Sequence, residues 1–180
     1  MLPKFVFIAC GGTIGGEWDP SKDTVVPTKG ANKRLHLYLK DNVKLYRAPK
    51  FIDLFNKDSR QILDKDRDLV VKTILEHRAR GYHHFIITHG TFTMTQTGAY
   101  LDRALTKKGV NDVCVVITGS MIPNTGFAPS DAQFNMGFAI GQLAAMNWKD
   151  QGGVYVSMNG YTVSPTQIKK NVKAAKFEKQ

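Results

Sequence analysis

Cysteine is nearly absent from this chain of 180 residues, which carries only Cys10 and Cys114. Each lies in an apolar run, where a free thiol behaves as a small buried hydrophobe, so neither a disulfide framework nor a cysteine-based zinc site is expected. Long hydrophobic runs are missing too. No apolar stretch approaches the ~20 residues of a membrane-spanning helix, which predicts a soluble globular protein with no membrane partner. The opening "LPKFVFIAC" has one early lysine, Lys4, and no small-residue cleavage site, so no signal peptide and a cytoplasmic location are expected. Neither a repeat, a low-complexity segment nor a linker interrupts the chain, which reads as one domain over residues 1–180. Acidic residues are outnumbered 15 to 25 by basic ones, for a net charge of +10. That sign suits an acidic partner or nucleic acid. The bases are scattered, however, and their densest group, "IKKNVKAAKFEK", reads as a solvated helical face, so nucleic acid is only a minor alternative.

Two further site classes lack their residues. "GGTIGG" satisfies neither the dinucleotide spacing GxGxxG nor the P-loop pattern ending in GK[ST], which weakens a nucleotide reading. His83, His84 and His89 have no carboxylate or cysteine cluster at ligand spacing. Neither a metal nor a cofactor is expected.

What is present is alternation. "KFVFIAC", "HHFIITHG", "DVCVVITGS" and "GGVYVSMNG" read as buried strands, and "VKLYRAP" as a short strand leading into "FIDLFNKDSRQ". Between them stand helical patterns: a stripe from Leu69 to Leu75 with Asp66 as N-cap, ending near Gly81; "TMTQTGAYLDRALTKKG", closed by Gly109; and "SDAQFNMGFAIGQLAAMNW". "KRLHLYLK" reads equally as strand or helix. Strands alternating with crossover helices predict an α/β fold with a largely parallel sheet covered on both faces.

A polar cluster follows each buried strand directly, and in such sheets ligands bind outside the carboxyl ends of the strands. After the first strand, Gly11 and Gly12 permit a sharp turn that brings Thr13 and backbone N–H groups close to a ligand. After the second comes "THGTFT", with Thr91 able to supply a second hydroxyl. Taken alone, those threonines read as helix caps. Threonine needs help to act as a nucleophile, and Lys169 or Lys170, folded beneath the site and partly desolvated, would supply it. Two hydroxyls, a lysine and glycine-turn N–H donors suit acyl transfer from a carbonyl compound.

"GGTIGG", "ITHGTFTM", "VVITGSMIP" with "SDAQFNMGFAI", and "GVYVSMNG" resemble, in order and spacing, the N-terminal domain of the bacterial-type L-asparaginases. "NKDSRQ" looks like that family's substrate loop with its DS pair. The resemblance covers about residues 4 to 176. It implies a three-layer α/β/α sandwich and hydrolysis of the side-chain amide of L-asparagine or a related small amide. Thr13 matches the nucleophilic threonine and Thr91 the second threonine. Lys170, or Lys169 after a one-residue shift, matches the supporting lysine. Asp58 and Ser59 match the substrate-binding pair, and Gly90 stands where backbone groups approach the substrate.

The departures fall in the same places. Phe92 occupies the position of an aspartate that contacts the substrate amine, and Arg60 that of a glutamine that helps to bind it. Residues 16–30, the family's mobile loop, lack its activating tyrosine, with Val25 or Val26 in the matching place. The family's usual C-terminal domain is not matched, so this short form is expected to close its site as a homodimer or homotetramer. Phe92 reads as a packing substitute, as the mark of a ligand without an α-amine, or as the sign of a decayed site. An asparaginase-like amidohydrolase is the leading reading, and a non-catalytic ligand-binding protein on the same scaffold is its alternative.

Overall fold

A computed structural model describes residues 3–124 and 129–180. Strand β1 (Phe5–Gly11) is buried along its whole length, as a strand covered on both faces requires. A hairpin follows, β2 (Glu17–Asp19) against β3 (Thr24–Val26). Helix α1 (Ala31–Asn42) then settles the reading of "KRLHLYLK": Leu35 and Leu39, one turn apart, are both buried against the sheet.

The expected strand at "VKLYRAP" is displaced along the chain, since β4 is Lys50–Lys57. Pro49 has no N–H to donate, and pairing with β1 begins just after it, at Val6 opposite Lys50. Helix α2 (Asp64–Arg78) begins earlier than expected, with Leu63 at the N-cap. Asp66, read as the cap from sequence, sits three residues beyond it. From there its carboxylate reaches back to accept from the Leu63 N–H at 2.9 Å while also meeting Lys57 Nζ at 2.7 Å.

Strand β5 (His84–Thr88), helix α3 (Met94–Lys107), strand β6 (Cys114–Thr118), helix α4 (Ala132–Ala145) and strand β7 (Gly153–Met158) continue the alternation. Strand β8 (Tyr161–Val163) turns back antiparallel on β7. The six-stranded sheet runs β4-β1-β5-β6-β7-β8, and all its pairings but the last are parallel. Val70, Ile74, Leu101 and Leu105 pack α2 and α3 on one face, while Leu35, Leu39, Met136 and Leu143 pack α1 and α4 on the other. The result is the expected three-layer α/β/α sandwich.

The basic tail is not a helical face. It forms a second hairpin, β9 (Ile168–Asn171) with β10 (Lys176–Lys179). Ile168 and Phe177 are its buried anchors, and the two-residue period of a strand sends Lys169 and Lys170 to opposite sides.

From β1 the chain crosses to β4 on one side and then returns to β5 on the other. The carboxyl ends of β1 and β5 therefore flank the point where strand order reverses, the place where open α/β sheets bind ligands.

Candidate active site

Three chain segments meet at that point because two glycines let them. Gly12 has φ 85° and ψ −178°, a conformation essentially restricted to glycine. A Cβ there would lie 2.3 Å from the Gly90 nitrogen. A Cβ on Gly90 would in turn lie 2.7 Å from the Ser59 side chain. The exits of β1, β5 and β4 are thus stacked almost in backbone contact. Thr13, Thr91 and Ser59 consequently wall one cavity of about 230 Å³, together with Asp58, Gly90, Phe92 and Lys170. Of the site residues named from sequence, Thr13, Asp58, Ser59, Gly90, Thr91, Phe92 and Lys170 all border this one space, and the alternative Lys169 does not.

Lys170 enters from β9 and donates to Thr91 Oγ1 at 2.7 Å. Lys169 is exposed and does not line the cavity, so of the two candidate lysines Lys170 is the one that borders it. Burial, and then the nearby Arg60 charge, push the Lys170 ammonium toward releasing its proton, with Asp58 opposing them. A hydroxyl and an amine so paired form an arrangement able to pass a proton. Thr13 borders the cavity without joining that pair.

Phe92 is 52% exposed and lies against both cations: Lys170 Nζ is 3.7 Å and the Arg60 guanidinium carbon 4.9 Å from its ring centre. Arg60 also forks onto Asp58, with Nη2 2.6 Å from Oδ2 and Nε 3.1 Å from Oδ1. That hydrogen-bonded pairing holds the Asp58 carboxyl below, and the Arg60 guanidinium above, their ordinary ranges.

The threonines around this loop differ from the expected helix caps. Thr93 does occupy the N-cap position of α3, but its hydroxyl donates to the Ser59 carbonyl at 2.7 Å and ties the β4 exit to the β5 exit. His89 is fully buried, and burial pushes its imidazole down to about 4 despite its contact with the Gly90 carbonyl at 2.8 Å. It is therefore neutral at pH 7, with Nδ1–H as the donor to that carbonyl. His83 stacks on Trp148 and His84 approaches the Met146 carbonyl, at the other end of the strands. Among the described residues no group of three or more His, Cys, Asp or Glu side chains is placed to share a metal ion.

Asp131 and Asn135, from the "SDAQFNMGFAI" stretch, hold the next strand exits in place. The Asp131 carboxylate accepts the N–H groups of Met121 and Ile122 at 3.0 Å. Asn135 donates to the Gly119 carbonyl at 3.1 Å and accepts the Asn159 N–H at 3.0 Å. Met121 is thereby fixed in the cavity wall.

The sequence reading missed part of that wall. Within residues 16–30 the β2–β3 hairpin is formed, and Trp18, Asp23 and Thr24 border the cavity beside Val25 and Val26. Three-residue strands are too short for alternation to stand out, and only the "TVV" run hinted at one.

The family model described as Asparaginase, N-terminal matches residues 4–178. L-asparaginase 2 of Escherichia coli (strain K12) is 29% identical over 178 residues, covering 94% of this chain and 47% of its own length. A protein named probable L-asparaginase periplasmic, from Haemophilus influenzae (strain ATCC 51907 / DSM 11121 / KW20 / Rd), is 28% identical over 94% of this chain and 46% of its own. Among solved structures, the thermostable L-asparaginase from Thermococcus kodakarensis superposes with a TM-score of 0.73 at 22% identity, over 98% of this chain and 51% of that one. The last likeness bears on the fold. This chain spans about half the length of each of these proteins.

Proposed function

The chain belongs to the asparaginase family through its N-terminal domain, and on that premise we propose that it hydrolyses a small side-chain amide, with L-asparagine the parent of the substrate class. The observation that carries this reading is the 2.7 Å hydrogen bond from Lys170 to Thr91 in the cavity that Thr13 also borders. In the proposed reaction the Thr13 hydroxyl adds to the amide carbon. Its proton passes through the Thr91–Lys170 pair to the departing nitrogen, the C–N bond breaks, and ammonia leaves. Water then cleaves the threonine ester, giving the free acid and restoring the hydroxyl. The Gly12 N–H is held by the Lys57 carbonyl at 3.1 Å, so the N–H groups that follow it in the Thr13 turn, with those of the Gly90 turn, are the donors for the developing oxyanion, and Ser59 with Asp58 positions the rest of the substrate. A cavity of about 230 Å³ suits so small a compound, since drug-sized ligands occupy roughly 300–1,000 Å³.

The β2–β3 hairpin already covers part of this cavity, and a second copy of the chain is proposed to complete the enclosure in a homodimer or homotetramer. The single unit of residues 1–180 is proposed to suffice for folding. Two free, buried thiols favour a reducing compartment, so the cytoplasm is the proposed location, although one relative is named as periplasmic. Cell fractionation and size-exclusion chromatography with light scattering test these points.

One observation favours a non-catalytic, ligand-binding role: Thr13 stands outside the Thr91–Lys170 pair. Ammonia release from L-asparagine, L-glutamine, D-asparagine and an amide lacking the α-amine separates the two readings. Turnover abolished by both Thr13→Ala and Thr91→Val supports the hydrolase. A folded protein that binds one of these compounds and releases no ammonia supports the binding role.

A further inference from the structure

The charges around Phe92 bear on which amide this cavity takes. An α-amino amide presents an ammonium and a carboxylate on one carbon, and a site for it needs an uncommitted carboxylate for the ammonium. Asp58 is committed: both of its oxygens are held by Arg60, and its Oδ1 also accepts the Arg60 backbone N–H at 2.9 Å. Beside it the exposed face of the cavity is a phenyl ring with two cations against it. The other carboxylate in the lining, Asp23, sits in the exposed turn of the β2–β3 hairpin, where solvent screens it. Arg60 directs Nε and Nη2 at Asp58, which leaves Nη1 to donate elsewhere. Ser59, 2% exposed, borders the cavity at the same end.

This constellation repels an ammonium and attracts a carboxylate. Resting on the amidohydrolase reading above, we propose that Phe92 and Arg60 select an amide that carries a carboxylate and no α-ammonium, a monoamide of a short dicarboxylic acid such as succinamate. Its carboxylate lies toward Ser59 and Arg60, its unsubstituted methylene carbon contacts the Phe92 ring, and its amide carbon reaches Thr13. Hydrolysis of the monoanion consumes one water and yields the dicarboxylate and an ammonium ion, the ammonia having taken up the proton of the new acid. Phe92 is then a specificity determinant, and its ring leaves no partner for a charged substituent on that carbon.

The test compares kcat/KM for succinamate, L-asparagine and 3-aminopropanamide, which has the ammonium and lacks the carboxylate, in the wild-type chain, Phe92→Asp and Arg60→Gln. Succinamate is expected to exceed L-asparagine by about 10- to 100-fold, the worth of one charge-assisted hydrogen bond, with 3-aminopropanamide the poorest. Phe92→Asp supplies a carboxylate and is expected to shift the succinamate-to-asparagine ratio at least tenfold toward asparagine. Arg60→Gln is expected to raise KM for succinamate more than it lowers kcat. L-asparagine turned over as well as succinamate by the wild type, or a ratio unmoved in Phe92→Asp, overturns the proposal and leaves the amidohydrolase reading intact. If no ammonia appears from any amide, that reading fails alone, and calorimetric binding decides the selectivity. Tighter binding of succinamate than of L-asparagine supports it, and the reverse order or no binding of either overturns it.

Discussion

Replacing Gly12 by alanine tests whether the site is assembled by backbone contact between strand exits. The added Cβ would lie 2.3 Å from the Gly90 nitrogen, 2.5 Å from its Cα and 2.7 Å from the His89 carbonyl carbon. All three are backbone atoms, so no rotamer change relieves the overlap. The dihedrals add to it, because φ 85° with ψ −178° costs an L-residue about 1–3 kcal/mol. Overpacking against fixed atoms costs about 1–3 kcal/mol more. We expect Gly12→Ala to lower unfolding stability by about 2–6 kcal/mol, or to escape part of that cost by moving the Thr13 turn away from Gly90. Displacement of a reacting group by even 1 Å costs about a hundredfold in rate, so activity should fall in either case. Gly81 provides the control. Its φ is also positive, at 78°, but nothing lies within 4 Å of a Cβ there. Gly81→Ala should cost only about 1–2 kcal/mol, with activity retained. Urea denaturation and ammonia release on both variants separate contact from dihedral strain. Equal destabilisation by the two substitutions, with activity equally preserved, would falsify the close-approach account.

Three further expectations follow from the same geometry. Lys170→Met should lower kcat by about 10²–10⁴-fold with little change in the urea midpoint, whereas Lys169→Met should behave as the wild type; similar effects at both positions would contradict the assigned hydrogen bond. If neutral Lys170 takes the proton, activity should rise with pH until it passes a value below the ordinary lysine range. Arg60→Gln should move that rise to higher pH, because it removes a charge that repels the ammonium and frees Asp58, which stabilises it; a pH–rate profile that stays put or moves down would count against the role. His89 has a folded value of about 4 against an unfolded value near 6.5, so the unfolded chain binds the proton first. Its contribution is complete above pH 6.5 and is lost as pH falls toward 4, by roughly 3 kcal/mol in all; the fall in unfolding free energy between pH 7 and 4.5, read from urea denaturation, should be smaller by about 2 kcal/mol in His89→Gln, and an identical pH dependence in both proteins would refute it.

The sheet was legible from sequence because burial on both faces writes itself as unbroken apolar runs. Val115 to Ile117 and Phe85 to Ile87 are almost wholly buried and read as strands from composition alone. The edge strand β4 was misplaced for the complementary reason. It has β1 on one side only, its residues are mostly half-exposed, and "KFIDLFNK" mixes apolar and charged residues without a clear period. The basic tail misled because lysine spacing was read without its anchors. Ile168 and Phe177 lie on opposite arms of the hairpin, opposite Lys179 and Lys170, and two arms of four residues are too short for their period to stand out against the lysines.

For the cavity, sequence supplied the residues and only the fold supplied their relations. Thr91 and Lys170 are 79 positions apart, and nothing short of the β9 hairpin could bring one lysine to the hydroxyl and its neighbour to solvent. Phe92 shows the same limit from the other side. As a letter in a motif it is a missing carboxylate, with packing, altered ligand and decay equally open. In space it is an exposed ring with Lys170 and Arg60 against it, while Arg60 occupies the nearest acid. The 2.7 Å Lys170–Thr91 bond beside it and its 52% exposure favour an altered ligand over decay or packing, and the substrate comparison proposed above tests that choice. The charge arrangement instead extends the phenylalanine's effect to the whole end of the cavity, so that one substitution alters which ligand charge is welcome while the hydroxyls and lysine beside it remain in place.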